Sequence, residues 1–131
     1  MSDDELKPQV PESRGFAPCF PSRDIRAALA HYEALGFEVM PFEEGMEWAW
    51  ARFNGAELHL FYKEAHDPAT TAAAADLVVE NVDDVERRWA ATGVEGTSDP
   101  YDTPYNMREA VHIDLDNNLI RINSALLSRR E

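Results

Sequence analysis

Residues 46–63 read MEWAWARFNGAELHLFYK. Two apolar-rich runs flank Asn54–Gly55, the strongest short-range signal for a β-hairpin, because a type I′ turn needs two residues that tolerate positive φ. Strand alternation puts Trp48, Trp50 and Arg52 on one face of the first run, with Ala49, Ala51 and Phe53 on the other. In the second run, Glu57, His59 and Phe61 oppose Leu58, Leu60 and Tyr62.

Upstream of the hairpin, GFEVMPF (36–42) reads as a strand with Pro41 near its end, and Glu43–Glu44–Gly45 as a turn. Before it, Ile25, Ala28, Leu29, Tyr32 and Leu35 recur at helical spacing. Ser22 or Asp24 can cap this helix, and Gly36 supplies its stop. A short strand over about 16–20 precedes it, ended by Pro21. Residues 1–14 are charged, carry Pro8 and Pro11, and read as an arm.

Downstream, EAHDPATTAAA (64–74) is a linker in composition. The segment ADLVVENV (75–82) then reads as a strand. A helix follows from Asp83 to Thr92, with Val82, Val85 and Trp89 at helical spacing and Gly93 as its end. A longer Gly/Pro-rich stretch, VEGTSDPYDTPYN (94–106), leads to REAVHID, the turn LDNN and a last strand, LIRINSA. The order β–α–β–β–β thus runs twice, in units at 15–65 and 72–125 of one domain spanning 15–131.

The chain has 131 residues, enough for one sizeable core, and 44% apolar with 28% charged residues is a globular mixture. A net charge of −13 argues against nucleic acid and anionic membrane surfaces, whose phosphates require clustered Lys and Arg, and favours a cationic ligand. Cys19 is the single cysteine, which excludes an internal disulfide and a thiolate metal cluster and fits a reducing cytoplasm. The polar first residues do not read as a signal peptide, and no apolar run is long enough to span a bilayer. The sequence has no G-x-S-x-G, no Cys–His constellation and no phosphate loop. His31 reads as packed or surface, His66 as a solvated linker residue, and His112, near Asp114, as structural.

Three segments carry a family likeness. AELHLFYK resembles the fourth strand of bleomycin-resistance-like proteins, where LHLF is frequent. PYNMREAVHIDLDNNLIRI (104–122) resembles their W-G-x-R-E-F…D-P-D-G-N-x-I stretch, with Arg108, Glu109, Asp114, Asp116 and Asn118 matching. Leu115 stands in place of the proline and Asn117 in place of the glycine, and Asn tolerates the left-handed turn position best among non-glycine residues. RAALAHYEALGFEV matches the opening S-x-x-F-Y-x-x-L-G-F-x-V in spacing. Together these cover about residues 16–124 and resemble the glyoxalase/bleomycin-resistance family of the vicinal-oxygen-chelate superfamily, in its bleomycin-resistance branch.

That resemblance implies an α+β fold in which each βαβββ unit curls into half a cup. Metal enzymes of the superfamily take ligands from the first and last strands of each unit. Here those positions fall at Ala17 or Pro18, His59, Ala72–Ala75 and Arg121. One imidazole and one guanidinium do not hold a metal, because Arg has no lone pair to donate, so neither metal nor cofactor is expected. Trp48, Trp50, Arg52, His59 and Phe61 of the first unit and Arg121 of the second would face the cup, with Tyr101 and Tyr105 on the loop that closes over it.

The two tryptophans form a platform suited to a planar or cationic ligand. Arg52, His59 and Arg121 would add positive character better suited to an anionic or carbonyl ligand. The family likeness further implies a homodimer that completes the cups and exchanges the N-terminal arm. The resulting expectation is a metal-independent small-molecule binding protein that sequesters a bleomycin-like or other planar antibiotic. The competing reading is a metal-dependent lyase, isomerase or dioxygenase acting on a small oxygenated metabolite.

Overall fold

The computed structural model describes residues 10–41, 45 and 47–126. The first round comprises β1 (Cys19–Ser22), α1 (Ile25–Leu35), β2 (Glu38–Pro41), β3 (Trp48–Phe53) and β4 (Ala56–Tyr62). The second comprises β5 (Ala74–Val78), α2 (Val82–Ala91), β6 (Tyr101–Asp102), β7 (Met107–Ile113) and β8 (Leu119–Ala125). The strands form two four-stranded mixed sheets, ordered β1-β4-β3-β2 (sheet A) and β5-β8-β7-β6 (sheet B). In each, the first strand pairs parallel with the last and the other pairings are antiparallel. The fold class is α+β, two βαβββ rounds as the sequence predicts.

Local chemistry sets the element boundaries. The Asp24 side chain accepts from the Ala27 N–H at the start of α1, and Gly36, at φ 110°, closes its end. Asn81 caps α2 by accepting from the Asp84 N–H. Asn54 and Gly55 take φ of 37° and 96°, which turns β3 into β4 without an insertion, and Asn117 sits at φ 62° in the β7–β8 turn.

Four details depart from the sequence reading. β1 starts at Cys19 rather than near residue 16, and Pro21 lies inside it, tolerated because β1 is an edge strand whose outer N–H groups need no ladder partner. β5 begins and ends earlier than 75–82, because Asn81 is already the cap of α2. The second round's third strand is the two-residue β6, which the composition of 94–106 conceals. His66 is buried rather than solvated, its Nε2 2.9 Å from the Asp116 carbonyl oxygen. The N-terminal arm and the turn at 43–45 fall mostly outside the described residues.

Both helices lie on the same side of their sheets and meet in one core. Ala49, Ala51, Leu58 and Leu60 of sheet A and Ala110, Ile120 and Ile122 of sheet B are buried with Leu29, Tyr32, Val82 and Trp89. Trp89 joins the halves, with ring centroids 5.8 Å from Phe37, 5.6 Å from Phe53 and 5.3 Å from His112. Polar contacts cross the same boundary. The Tyr32 hydroxyl donates to Asp114 Oδ2 at 2.6 Å, and Asn118 Nδ2 donates to the Pro21 carbonyl at 3.0 Å. Arg23 Nε meets Asp116 Oδ1 at 2.8 Å. A chain of neutral rings completes it, with His112 Nδ1 2.8 Å from Thr97 Oγ1 and His112 Nε2 2.8 Å from His31 Nε2.

Two outcomes follow for stability. Tyr32→Phe deletes a donor to a buried carboxylate without changing the core's shape and should cost about 1.5–3 kcal/mol, read from the urea midpoint at pH 7. Burial, and next the adjacent His31, lower the His112 imidazole from 6.5 to about 4. As pH falls through 6.5 the unfolded chain takes up this proton, and the folded chain does not until about 4. The contribution is therefore intact above pH 6.5, is lost between 6.5 and 4 at up to about 1.4 kcal/mol per pH unit, and levels off below. His112→Gln should flatten that part of the stability profile relative to the parent protein; parallel profiles would show that His112 does not carry it.

Candidate functional site

With one side of each sheet committed to the core, strand alternation turns the other side outward. On sheet A this open face carries Trp48, Trp50 and Arg52 from β3 and Glu57, His59 and Phe61 from β4, with cross-strand partners Trp48–Phe61, Trp50–His59 and Arg52–Glu57. Met40 of β2 stands opposite Trp50, and Cys19 of β1 opposite His59.

The side chains on this face bind one another in sequence. The Arg52 guanidinium lies 3.8 Å over the Trp50 ring, which explains why Trp50 is buried on an outward face. Arg52 Nε donates to Glu57 Oε1 at 2.6 Å, and Glu57 Oε2 lies 2.6 Å from His59 Nε2. Those hydrogen bonds, from Arg52 first and His59 second, hold the Glu57 carboxyl below its usual range. The His59 ring meets Trp48 edge-on at 5.7 Å, and Trp48 stacks on Phe61 at 6.2 Å. The result is a band of flat apolar surface with an internally balanced charge pair.

On sheet B the open face groups Tyr101, Glu109, Arg121 and Asn123, with Tyr101 paired to Glu109 across β6–β7 and Glu109 to Asn123 across β7–β8. The Tyr105 hydroxyl donates to Glu109 Oε1 at 2.7 Å and the Tyr101 hydroxyl to Oε2 at 3.3 Å. Burial, then the Glu109 charge, raises the Tyr101 hydroxyl's pKa; the hydrogen bond to Glu109 raises that of Tyr105. Arg121 Nε pairs with Asp76 Oδ1 at 3.2 Å, and Asn123 Nδ2 donates to the same oxygen at 3.3 Å.

The sequence-predicted residues therefore form two groups on separate sheets: Trp48, Trp50, Arg52, His59 and Phe61 on A, and Tyr101, Tyr105 and Arg121 on B. Two expectations change. Arg52 and Arg121 do not leave the faces positive, since each is bound to a carboxylate within its own sheet. The residues facing His59 and Arg121 are Cys19 and Asp76, not Ala17 or Pro18 and Ala72–Ala75, because the parallel pairings of β1 with β4 and β5 with β8 set the register. Even so, among the described residues no three His, Cys, Asp or Glu side chains are placed to hold a metal ion.

Taken only as part of a motif, Glu109 was not recognised in the sequence as outward-facing, although its parity with Val111, opposite the core residues Ala110 and His112, marks it as such. A groove of about 650 Å³ opens between the halves, lined by residues 14–18, the end of the β3–β4 hairpin, Phe37, Ala75–Leu77 and Ile120; of the predicted residues only Arg52 borders it. No described helix is long and apolar enough to cross a membrane.

No family model matches the sequence, and no curated protein matches it. Solved structures do. A bleomycin resistance determinant encoded on the transposon Tn5 superposes with a TM-score of 0.78 at 21% identity, over 85% of this chain and 97% of that one. A bleomycin-binding protein from bleomycin-producing Streptomyces verticillus, complexed with copper(II)-bleomycin, gives 0.74 at 20% identity over 89% and 99%. A glyoxalase/bleomycin resistance protein/dioxygenase from Nocardioides gives 0.70 at 17% identity over 94% and 89%. The doubled βαβββ chain described above has the vicinal-oxygen-chelate fold shared by bleomycin-resistance and glyoxalase-type proteins.

Proposed function

We propose that this protein binds a planar, cationic antibiotic of the bleomycin type and sequesters it without chemistry or metal. The observation that carries this reading is the Trp48–Phe61 stack on sheet A, beside a Trp50 ring covered by Arg52, an apolar surface whose charges are already balanced. Such a surface suits a stacked heteroaromatic ring, because stacking gains dispersion and buried area without stranding a charge. Bleomycin-binding proteins of the same fold supply the ligand class.

In this reading Trp48, Trp50, Arg52, His59 and Phe61 line one wall of the cup. Tyr101, Tyr105 and Arg121 line the other. Both faces point away from the chain's own core, so a closed cup sets sheet A of one copy against sheet B of a second, and the protein acts as a homodimer. In this reading residues 15–131 are one domain, and the arm at 1–14 is exchanged with the partner. Metal independence rests on donor chemistry: His59 is held by Glu57, and Asp76 by Arg121 and Asn123.

Titration with metal-free bleomycin should quench tryptophan fluorescence stoichiometrically at micromolar concentration, unchanged by EDTA, and Trp48→Ala should weaken binding by about tenfold. Absence of quenching would remove the drug from the reading. Purified protein carrying a stoichiometric divalent metal would move the assignment to a metal-dependent enzyme.

A further inference from the structure

Glu109 is 4% exposed, yet it faces the open side of sheet B and not the core. The two other deeply buried carboxylates are compensated differently. Asp116 pairs with Arg23, and Asp114 caps the β7–β8 turn. Among the described residues Glu109 has no cationic partner, and its oxygens are held by two neutral tyrosine hydroxyls. The Arg121 guanidinium reaches the Tyr105 hydroxyl, but its ion pair is with Asp76. Asp76 and Arg121 are both well exposed, whereas Glu109, the buried carboxylate of the group, is held directly only by hydroxyls. Arg108, the next residue along β7, is spent on Asp83 and Asp102.

An uncompensated buried carboxylate is costly unless something positive completes it. Tyr101 and Tyr105, 41% and 60% exposed, flank it with rings open to solvent. We infer that Glu109, Tyr101 and Tyr105 form a subsite for an organic cation, an amidinium or a primary ammonium. The cation's N–H groups take the carboxylate oxygens in charge-assisted hydrogen bonds, replacing the weaker hydroxyl donors, while the ring faces supply cation–π attraction. In the cup proposed above, on which only this last placement rests, the subsite receives the charged end of a ligand whose planar part lies on the Trp48 face.

The test uses benzamidinium chloride and its neutral analogue benzamide, followed by amide chemical shifts of the full-length protein. Benzamidinium should shift the Tyr101, Tyr105 and Glu109 signals saturably, and benzamide should not. Glu109→Gln should weaken benzamidinium binding at least tenfold. The Tyr101→Phe/Tyr105→Phe variant, which keeps both rings and frees the carboxylate, should bind it as well as or better than the parent protein. Equal responses to the two compounds, unaltered binding in Glu109→Gln, or loss of binding in the double variant would each overturn the subsite. Benzamidinium binding at these residues without bleomycin quenching would reject the drug and keep the subsite; the reverse pattern would reject only the subsite.

Discussion

At the β7–β8 turn one carboxylate takes four hydrogen bonds. Asp114 Oδ1 accepts from the backbone N–H groups of Asp116 and Asn118 at 2.8 and 3.0 Å, which closes the turn. Its Oδ2 accepts from the Tyr32 hydroxyl at 2.6 Å and from Asn118 Nδ2 at 3.0 Å. The same Asn118 amide reaches the Pro21 carbonyl, and Arg23 reaches across to Asp116. A local turn in the second half is thereby bolted to the helix and first strand of the first half. Each donor is neutral or balanced by a nearby carboxylate, so the buried charge is solvated by the protein itself.

That clamp has a geometric consequence. It holds the helix-bearing sides of the two sheets together around Trp89, so the opposite sides must both face outward. Trp48, Phe61 and Glu109 face away from the core for the same reason that Tyr32 and Trp89 are inside it. With both described helices committed to one shared core, no described helix covers the other face of either sheet. In an antiparallel-rich sheet that face is normally polar. Here it carries tryptophans on one sheet and a buried carboxylate on the other, the pattern expected where a ligand or second chain completes the burial.

Much of the fold could be read from the residues because local signals agreed with the global arrangement. Asp24 and Gly36 bracket α1, and Asn54–Gly55 dictates a two-residue turn whatever surrounds it. Alternation correctly sorted Trp48, Trp50 and Arg52 from Ala49, Ala51 and Phe53. Tertiary pairing was less legible. β1 takes its register from β4, not from its own apolar run, so Phe16 is left fully exposed while Pro21 becomes part of a strand. β6 exists only because Tyr101 and Asp102 lie against β7, and two residues carry no periodicity. His66 looked solvated from its Pro- and Ala-rich neighbours, but a carbonyl distant in sequence draws it inside. The ion pairs Arg52–Glu57 and Arg121–Asp76 inverted the electrostatic reading, since charge type is written in the sequence and charge pairing is not.

The residues that carry the family likeness also divide by role. Asp114, Asp116 and Asn118 build the clamp, and Arg108 ties β7 to Asp83 at the start of α2 and to Asp102 in β6. These positions report how the halves are joined, and any ligand-binding chemistry compatible with that joint can share them. The residues outside the clamp that remain exposed to a partner or solvent lie on the two open faces. Glu109 points there, as do His59 and Phe61 of the LHLF run on the other sheet. On sheet B that open face presents a carboxylate framed by two tyrosine hydroxyls, while the arginines of both open faces are bound to carboxylates of their own sheets.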